Sequence, residues 1–274
     1  MDPSTLYETL AAAIRPLESA VVAYSGGVDS TLVMAVCHRE LSGRTLAVTA
    51  VSPSVGRRER EAAVRIAASL GVPHRLVETH EIDNPLYRAN APNRCYFCKS
   101  ELFTTLEAIR EAEGFAVIVD GYNRDDVGDW RPGVKAGEEH HVVSPLKQAG
   151  LGKTEIRALA RWLGLPNWDK PAAPCLASRI PYFTAVTVEG LRQVEAAEDA
   201  LHDLGFPVVR VRHHRDLARI EVPLEDLPRL VALGPRVEAA LQAVGYRYVT
   251  VDLGGFRSGS LNRVLEVNRG AVDA

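Results

Sequence analysis

The sequence predicts an α/β protein: a doubly wound parallel sheet followed by a smaller C-terminal α/β module. Three observations support this. Strand-like and helix-like segments alternate through the first half of the chain. The strand-like segments are continuous apolar runs, as expected of parallel strands covered on both faces. Two helical stretches stop in Gly and then Pro, at Gly71-Val72-Pro73 and Gly164-Leu165-Pro166. Gly supplies the turn after a helix and Pro cannot continue it.

In chain order, strands are predicted at Ala20–Tyr24, Thr45–Val51, His74–Glu78 and Ala116–Asp120. Helices are predicted at Ser30–Leu41, Arg57–Leu70, Lys99–Glu113 and Lys153–Leu163. These make a first domain over residues 1–166, whose ligands should gather beyond the carboxyl ends of its strands. Residues 167–185 are rich in proline and lack periodicity, and they read as a structured interdomain loop. Residues 186–274 open with a long helical pattern at Thr187–Leu204. Paired strands at Val208–Arg212 and Ala218–Val222 follow, then a helix near Pro235–Val244 and a strand near Arg247–Val251. Gly254, Gly255, Gly259 and the polar tail beyond Asn268 read as flexible.

The 274 residues are 46% hydrophobic and 24% charged, enough apolar material for one or two sizeable cores. Mean hydropathy is −0.06, that of an ordinary soluble globule. A net charge of −3 argues against a nucleic acid as the main partner, because phosphate contacts need a basic surface. No stretch has the length of a membrane span and no signal-peptide pattern opens the chain, so a cytoplasmic location is expected. Four cysteines are too few for a disulfide scaffold, and in such a chain a C-x-x-C pair points to metal or redox chemistry.

The strongest motif is Ser25-Gly26-Gly27-Val28-Asp29-Ser30, directly after the first strand. Two glycines let the backbone turn sharply and approach an anion closely. The following helix points unpaired N–H groups and its positive dipole end at that anion. Ala23, near the end of the strand, is a candidate nucleotide contact, Ser25 and Ser30 add hydroxyl donors, and Asp29 can hold Mg²⁺ near phosphates. The alternative is a plain structural turn. No Walker pattern is present. The motif resembles the PP-loop, S-G-G-x-D-S, of ATP pyrophosphatases, which cleave ATP between the α and β phosphates and adenylate a second substrate.

Gly121-Tyr122-Asn123-Arg124-Asp125-Asp126 follows the fourth strand, where a strand end should face the nucleotide. Asn123 can donate to a phosphate or substrate, and Asp125 and Asp126 can bind Mg²⁺. A solvated acidic turn is the alternative. Cys95-Tyr96-Phe97-Cys98 is placed just before a helix, which favours thiolate. Cys175 lies in the interdomain loop. Three thiolates can hold three irons of a [4Fe-4S] cluster and leave one open. Zinc on the same cysteines plus a fourth ligand, or a redox pair at Cys95 and Cys98, compete with that reading. Cys37, between Val36 and His38 in a helical apolar pattern, reads as a small buried hydrophobe. Arg210 and Arg212 lie two apart on a strand and so share one face, where they can grip phosphate or carboxylate. A solvated strand face is their alternative. The pairs His140-His141 and His213-His214 read as surface or packing residues.

The string from Trp168 to Tyr182, with Pro174-Cys175-Leu176-Ala177-Ser178-Arg179 at its centre, resembles the LarE-type ATP-dependent sulfurtransferases. So do Arg131-Pro132-Gly133 and the segment from Val209 to His214, and the match spans most of the chain. The resemblance implies adenylation of a carboxylate of pyridinium-3,5-biscarboxylic acid mononucleotide and its conversion to a thiocarboxylate. The product serves the nickel-pincer nucleotide of lactate racemase, and ATP becomes AMP and pyrophosphate. It implies substrate contacts for Ser178, Arg179, Arg210 and Arg212, and weaker candidate roles for Glu198 and Glu221. It implies a sulfide donor and a homo-oligomer such as a hexamer, with the C-terminal module serving substrate binding and oligomerisation. Members of this family either surrender the sulfur of one cysteine, at the position of Cys175, or use three cysteines on a [4Fe-4S] cluster that carries an extra sulfide. Cys95 and Cys98 beside Cys175 place this sequence with the second type. A tRNA-thiolating PP-loop enzyme and an ammonia-using PP-loop ligase are the competing functions.

Overall fold

A computed structural model describes residues 2–126 and 132–257. Arg131, Gly259 and the tail beyond Asn268, all singled out above, lie outside the described residues. The chain divides into two compact units, Met1–Asn84 with Asn93–Ala173, and Pro85–Pro92 with Pro174–Ala274.

The elements run α1 (Pro3–Ile14), β1 (Ala20–Ala23), α2 (Val28–Glu40), β2 (Thr45–Val51), α3 (Arg57–Ser69), β3 (His74–Glu78), α4 (Pro85–Arg88) and α5 (Arg94–Glu113). They continue as β4 (Val117–Val119), α6 (Pro132–Glu139), α7 (Pro145–Gln148), α8 (Lys153–Trp162) and α9 (Val188–Asp203). The chain then forms β5 (Arg210–His214), β6 (Leu217–Glu221), α10 (Leu227–Ala232), α11 (Gly234–Ala243) and β7 (Tyr248–Val251).

In the first unit the sheet order is β3-β2-β1-β4, with every neighbouring pair parallel. The doubly wound α/β fold expected from the sequence is therefore present. Crossovers run from β1 outward to β3 and then return to the other side of β1 as β4. The switch point lies at the carboxyl ends of β1 and β4, where such sheets bind ligands. Strand β1 is buried as predicted for a covered sheet, with no exposed surface at Ala20, Val21 and Val22, whereas the edge strand β3 is not covered and leaves Leu76 44% exposed. One face of the sheet packs with α1, α2 and α8 through Leu10, Ile14, Leu32, Met34 and Leu159, and Cys37 lies fully buried in this core. The other packs Val21 and Val48 with Phe103 and Leu106 of α5.

Helix α5 starts more than a turn before the expected Lys99, so Cys95 and Cys98 lie within the helix rather than ahead of it. Asn93 stands at the N-cap, but its side chain makes no capping bond. Tertiary contacts hold the extra turn instead. Tyr96 Oη donates to Glu139 Oε2 of α6 at 2.6 Å, and Tyr96 and Phe97 meet edge to face with centroids 5.3 Å apart.

In the second unit β5 and β6 are antiparallel and β6 and β7 parallel. Val211, Ile220, Leu201, Leu241 and Tyr246 form its core. The stretch around Pro85–Pro92 is fastened to the loop before α9 by one side chain. Asn90 Nδ2 donates to the carbonyls of Ile180 at 3.3 Å, Pro181 at 2.8 Å and Thr184 at 2.8 Å. Asn90 is fully buried with φ +54°, a left-handed conformation that asparagine tolerates better than most residues.

Candidate active site

The cradle at the switch point is shaped by backbone. Gly26 has φ +72°, and a Cβ there would stand 2.9 Å from Ala63 Cβ of α3. Both the turn and the close approach of α3 therefore require glycine. Gly27 caps α2 with no side-chain bond, so the first N–H groups of the helix stay open to an anion. Ser30 Oγ lies 3.1 Å from Ser25 Oγ and donates to the carbonyl of Gly27 at 3.2 Å. Ala23 is buried at the end of β1 and Ser25 is exposed.

Gly121 brings the loop after β4 onto this helix: a Cβ there would stand 2.8 Å from the backbone nitrogen of Ser30. The loop then turns its polar groups on Asp29. Asn123, fully buried, donates from Nδ2 to Asp29 Oδ2 at 3.1 Å and to Asp126 Oδ2 at 2.8 Å. Asp126 Oδ2 also accepts the N–H of Asn123 at 3.2 Å. Asp125 Oδ2 accepts the N–H of Lys153, the first residue of α8, at 2.7 Å. That bond to the helix start holds the Asp125 carboxyl below the ordinary carboxylate range. Ser25, Gly26, Gly27, Asp29, Ser30, Gly121, Asn123, Asp125 and Asp126 thus belong to one unit and meet around the start of α2.

Sequence reading missed three residues at this cradle. The ammonium of Lys153 pairs with Asp29 Oδ2. Lys170 Nζ donates to the carbonyl of Gly26 at 3.3 Å and to Glu59 Oε2 of α3 at 2.6 Å. Asn167 Nδ2 donates to Gly26 O at 3.1 Å and Thr31 Oγ1 at 2.9 Å. Lysine at the first position of the predicted helix Lys153–Leu163 was the available signal for Lys153. Lys170 lay inside the quoted cysteine-bearing string.

In the second unit Cys175 precedes a short helical turn, Leu176–Arg179. Arg179, buried, forks onto Glu198 of α9 at 2.9 and 2.8 Å. Its remaining nitrogen donates to the carbonyls of Pro174 at 2.6 Å and Cys175 at 3.1 Å and to Ser178 Oγ at 3.0 Å. One guanidinium therefore sets the backbone on both sides of the Cys175 side chain. Arg212 Nη2 pairs with Glu221 Oε2 at 2.6 Å, and Nη1 donates to the carbonyl of Ser178 at 2.9 Å. Arg210 stacks over the Phe256 ring at 5.2 Å. Arg210 and Arg212 are 8% and 6% exposed, so they do not form a solvated strand face. His213 packs edge-on against Tyr246, and its Nδ1 lies 3.0 Å from Tyr246 Oη.

Cys95 is exposed and Cys98 and Cys175 are half-buried, none of the three in a disulfide. Among the described residues no three His, Cys, Asp or Glu side chains are gathered as a metal-holding group. Cys95 and Cys98 fall in the first unit and Cys175 in the second.

Two comparisons bear on this arrangement. The chain is 49% identical over 252 residues to an uncharacterized protein of Synechocystis sp., covering 91% of this chain and 94% of that one. It is 40% identical over 264 residues to the pyridinium-3,5-bisthiocarboxylic acid mononucleotide synthase of Lactiplantibacillus plantarum, covering 96% and 95% of the two chains. The chain belongs to that synthase family. Residues 4–93 match the asparagine synthase family, consistent with the PP-loop ATP pyrophosphatase class. A tRNA-specific 2-thiouridylase of Acidithiobacillus ferrooxidans is 29% identical over 178 residues, covering 54% of this chain and 51% of that enzyme. The chain is an enzyme of the PP-loop class and a homologue of a sulfur-inserting synthase. Among the described residues no helix is long and apolar enough to cross a membrane.

Proposed function

We propose that this enzyme activates a carboxylate of pyridinium-3,5-biscarboxylic acid mononucleotide with ATP and replaces its oxygen by sulfur. The near full-length match to the Lactiplantibacillus plantarum synthase carries this reading. In the first step a substrate carboxylate oxygen attacks the α-phosphorus of ATP, the α–β bridging P–O bond breaks and pyrophosphate leaves. The open N–H groups of α2 and the hydroxyls of Ser25 and Ser30 hold the departing phosphates. Lys170 and Lys153 supply positive charge at the same place, and Asn123 orients Asp29.

The residues fit Mg²⁺: Asp29 is a half-buried carboxylate whose present partners are one ammonium and one amide donor. Asp29 would hold Mg²⁺, which neutralises phosphate charge when bound, and Asp125 and Asp126 are the further candidate carboxylates. In the second step sulfur takes the place of the adenylate and AMP leaves. The thiols of Cys95, Cys98 and Cys175 also fit a cluster in donor type, and the fourth cysteine, Cys37, is buried with its thiol pushed up to about 12 and so stays outside the set. Cys95, Cys98 and Cys175 would hold a [4Fe-4S] cluster, which when bound supplies a replaceable sulfide. Arg210, Arg212 and Ser178 are the candidate contacts for the phosphate and carboxylates of the substrate, and Arg179, forked onto Glu198, shapes the backbone around Cys175 beside them. The expected setting is the cytoplasm, with an exogenous sulfide donor and a homo-oligomeric assembly.

The test is incubation with ATP, Mg²⁺, a sulfide source and the biscarboxylic mononucleotide. The expected products are AMP, pyrophosphate and a thiocarboxylate 16 mass units heavier per oxygen replaced, on the order set by exchanging O for S within the same skeleton. Thiolated tRNA with no thiocarboxylate mononucleotide overturns the proposal.

A further inference from the structure

Past the carboxyl end of β3, Glu81 is only 2% exposed, and no cation pairs with it among the described residues. Two hydroxyls converge on its Oε1: Ser52 Oγ donates at 2.5 Å and Ser54 Oγ at 2.7 Å. Its Oε2 is buried without a hydrogen-bond partner. As a fastener this is expensive, because a buried carboxylate without a counter-charge lowers stability relative to an apolar side chain. Such a cost is more often met where a loop has to be held for function.

What Glu81 holds is the loop between β2 and α3. Ser52 and Ser54 are 8% and 3% exposed, and the N–H of Val55 donates to the carbonyl of Ser52 at 3.1 Å. The loop ends at Gly56, which caps α3. Helix α3 in turn forms a wall of the cradle. Ala63 closes on Gly26, Tyr24 Oη donates to the carbonyl of Ala63 at 3.3 Å, and Glu59 holds Lys170 beside Gly26. A continuous series of contacts within one unit thus joins Glu81 to the phosphate cradle.

We propose that Glu81 is a positioning residue for nucleotide binding: through Ser52 and Ser54 it fixes the start of α3, and α3 fixes Gly26 and Lys170. This rests on the reading that the cradle takes ATP. Glu81 touches no phosphate itself. Its loss should therefore weaken the ground-state and transition-state complexes together, raising KM for ATP more than it lowers kcat.

The experiment is calorimetric titration of the full chain with the Mg²⁺ complex of α,β-methylene-ATP, which cannot be cleaved at the reacting bond. KM, kcat and Tm are measured in parallel for the parent, Glu81→Ala, Glu81→Gln and Ser54→Ala. Glu81→Ala should weaken binding about ten-fold, equivalent to ~1.4 kcal/mol. Glu81→Gln keeps one oxygen for both serines and should recover most of that loss. Ser54→Ala removes one of the two hydroxyls that hold Glu81 and should weaken binding by about three-fold, and it decides the matter if Glu81→Ala does not fold. Variants with a lowered Tm and the parent's affinity and KM overturn the proposal and leave Glu81 a purely structural residue. A parent chain that does not bind the nucleotide overturns the ATP reading and this inference with it.

Discussion

At the scale of single residues, the cradle asks most of Asp29. Its carboxylate takes the Lys153 ammonium and the Asn123 amide on the same oxygen. Asp29→Asn keeps the shape and removes the charge. The expected outcome is a loss of pyrophosphate release of about a hundred-fold or more, the scale of removing one preorganised electrostatic group. The Tm should stay close to the parent's, because the side chain is half-buried and lies at a helix start. Retained AMP formation would remove Asp29 from the mechanism. Cys37 is the opposite case. It has no exposed surface, and burial pushes its thiol up to about 12, so it is neither a nucleophile nor a ligand near neutral pH. Cys37→Ala should cost about 1 kcal/mol of stability through the small void it leaves. A folded Cys37→Ala enzyme that has lost sulfur transfer would contradict this assignment.

At the scale of elements, the strand–turn–helix of β1 and α2 works because two glycines do different things. Gly26 needs its left-handed φ and the space that Ala63 fills, whereas Gly27 leaves the start of α2 uncovered. Gly26→Ala should therefore weaken ATP binding at least as much as it lowers Tm, since the added methyl pushes α3 away from the cradle. Isothermal titration beside a melting curve checks both. This element was legible in the sequence, as were the strands β1 to β4, because apolar runs and Gly-Pro stops are local signals. The first turn of α5 was not. It is held by Tyr96 against Glu139, a contact between residues far apart in the chain, while the Asn93 side chain at the N-cap makes no capping bond. Lys153 and Lys170 escaped for a similar reason. A lysine is unremarkable in sequence until the fold sets it against Asp29 or Gly26. The buried state of Arg210 and Arg212 also depends on partners, Glu221 and Phe256, that the strand pattern alone does not name.

At the scale of the whole molecule, each unit holds a half-buried histidine in surroundings unfavourable for charge. Burial keeps His74 in the first unit and His213 in the second below the ordinary 6.5. The unfolded chain then binds protons that the folded one refuses. The stability these groups contribute is present above about pH 6.5 and is lost as pH falls toward their folded values. Melting curves at about pH 7.5 and pH 5.5 should show the lower Tm at the acid end, and His213→Gln should narrow the gap. Asn90 is the other dependence of the second unit on one side chain. Asn90→Ala strips three carbonyls of a buried donor and should cost about 3 kcal/mol, read as a fall in Tm. The source of the sulfur is the remaining question. Three thiols and a single thiol make different demands. A cluster on Cys95, Cys98 and Cys175 needs iron and delivers a sulfide that can be replaced after each turnover. A surrendered Cys175 needs no metal and ends the enzyme's life at one turnover. Iron, acid-labile sulfide and the visible spectrum of protein purified without oxygen separate the two. The expected result is four irons per chain, the number in one such cluster, lost in Cys95→Ala, Cys98→Ala and Cys175→Ala alike. Absence of iron after anaerobic reconstitution, with dehydroalanine at position 175 after turnover, would assign the sulfur to Cys175 itself and leave Cys95 and Cys98 without a part in the transfer.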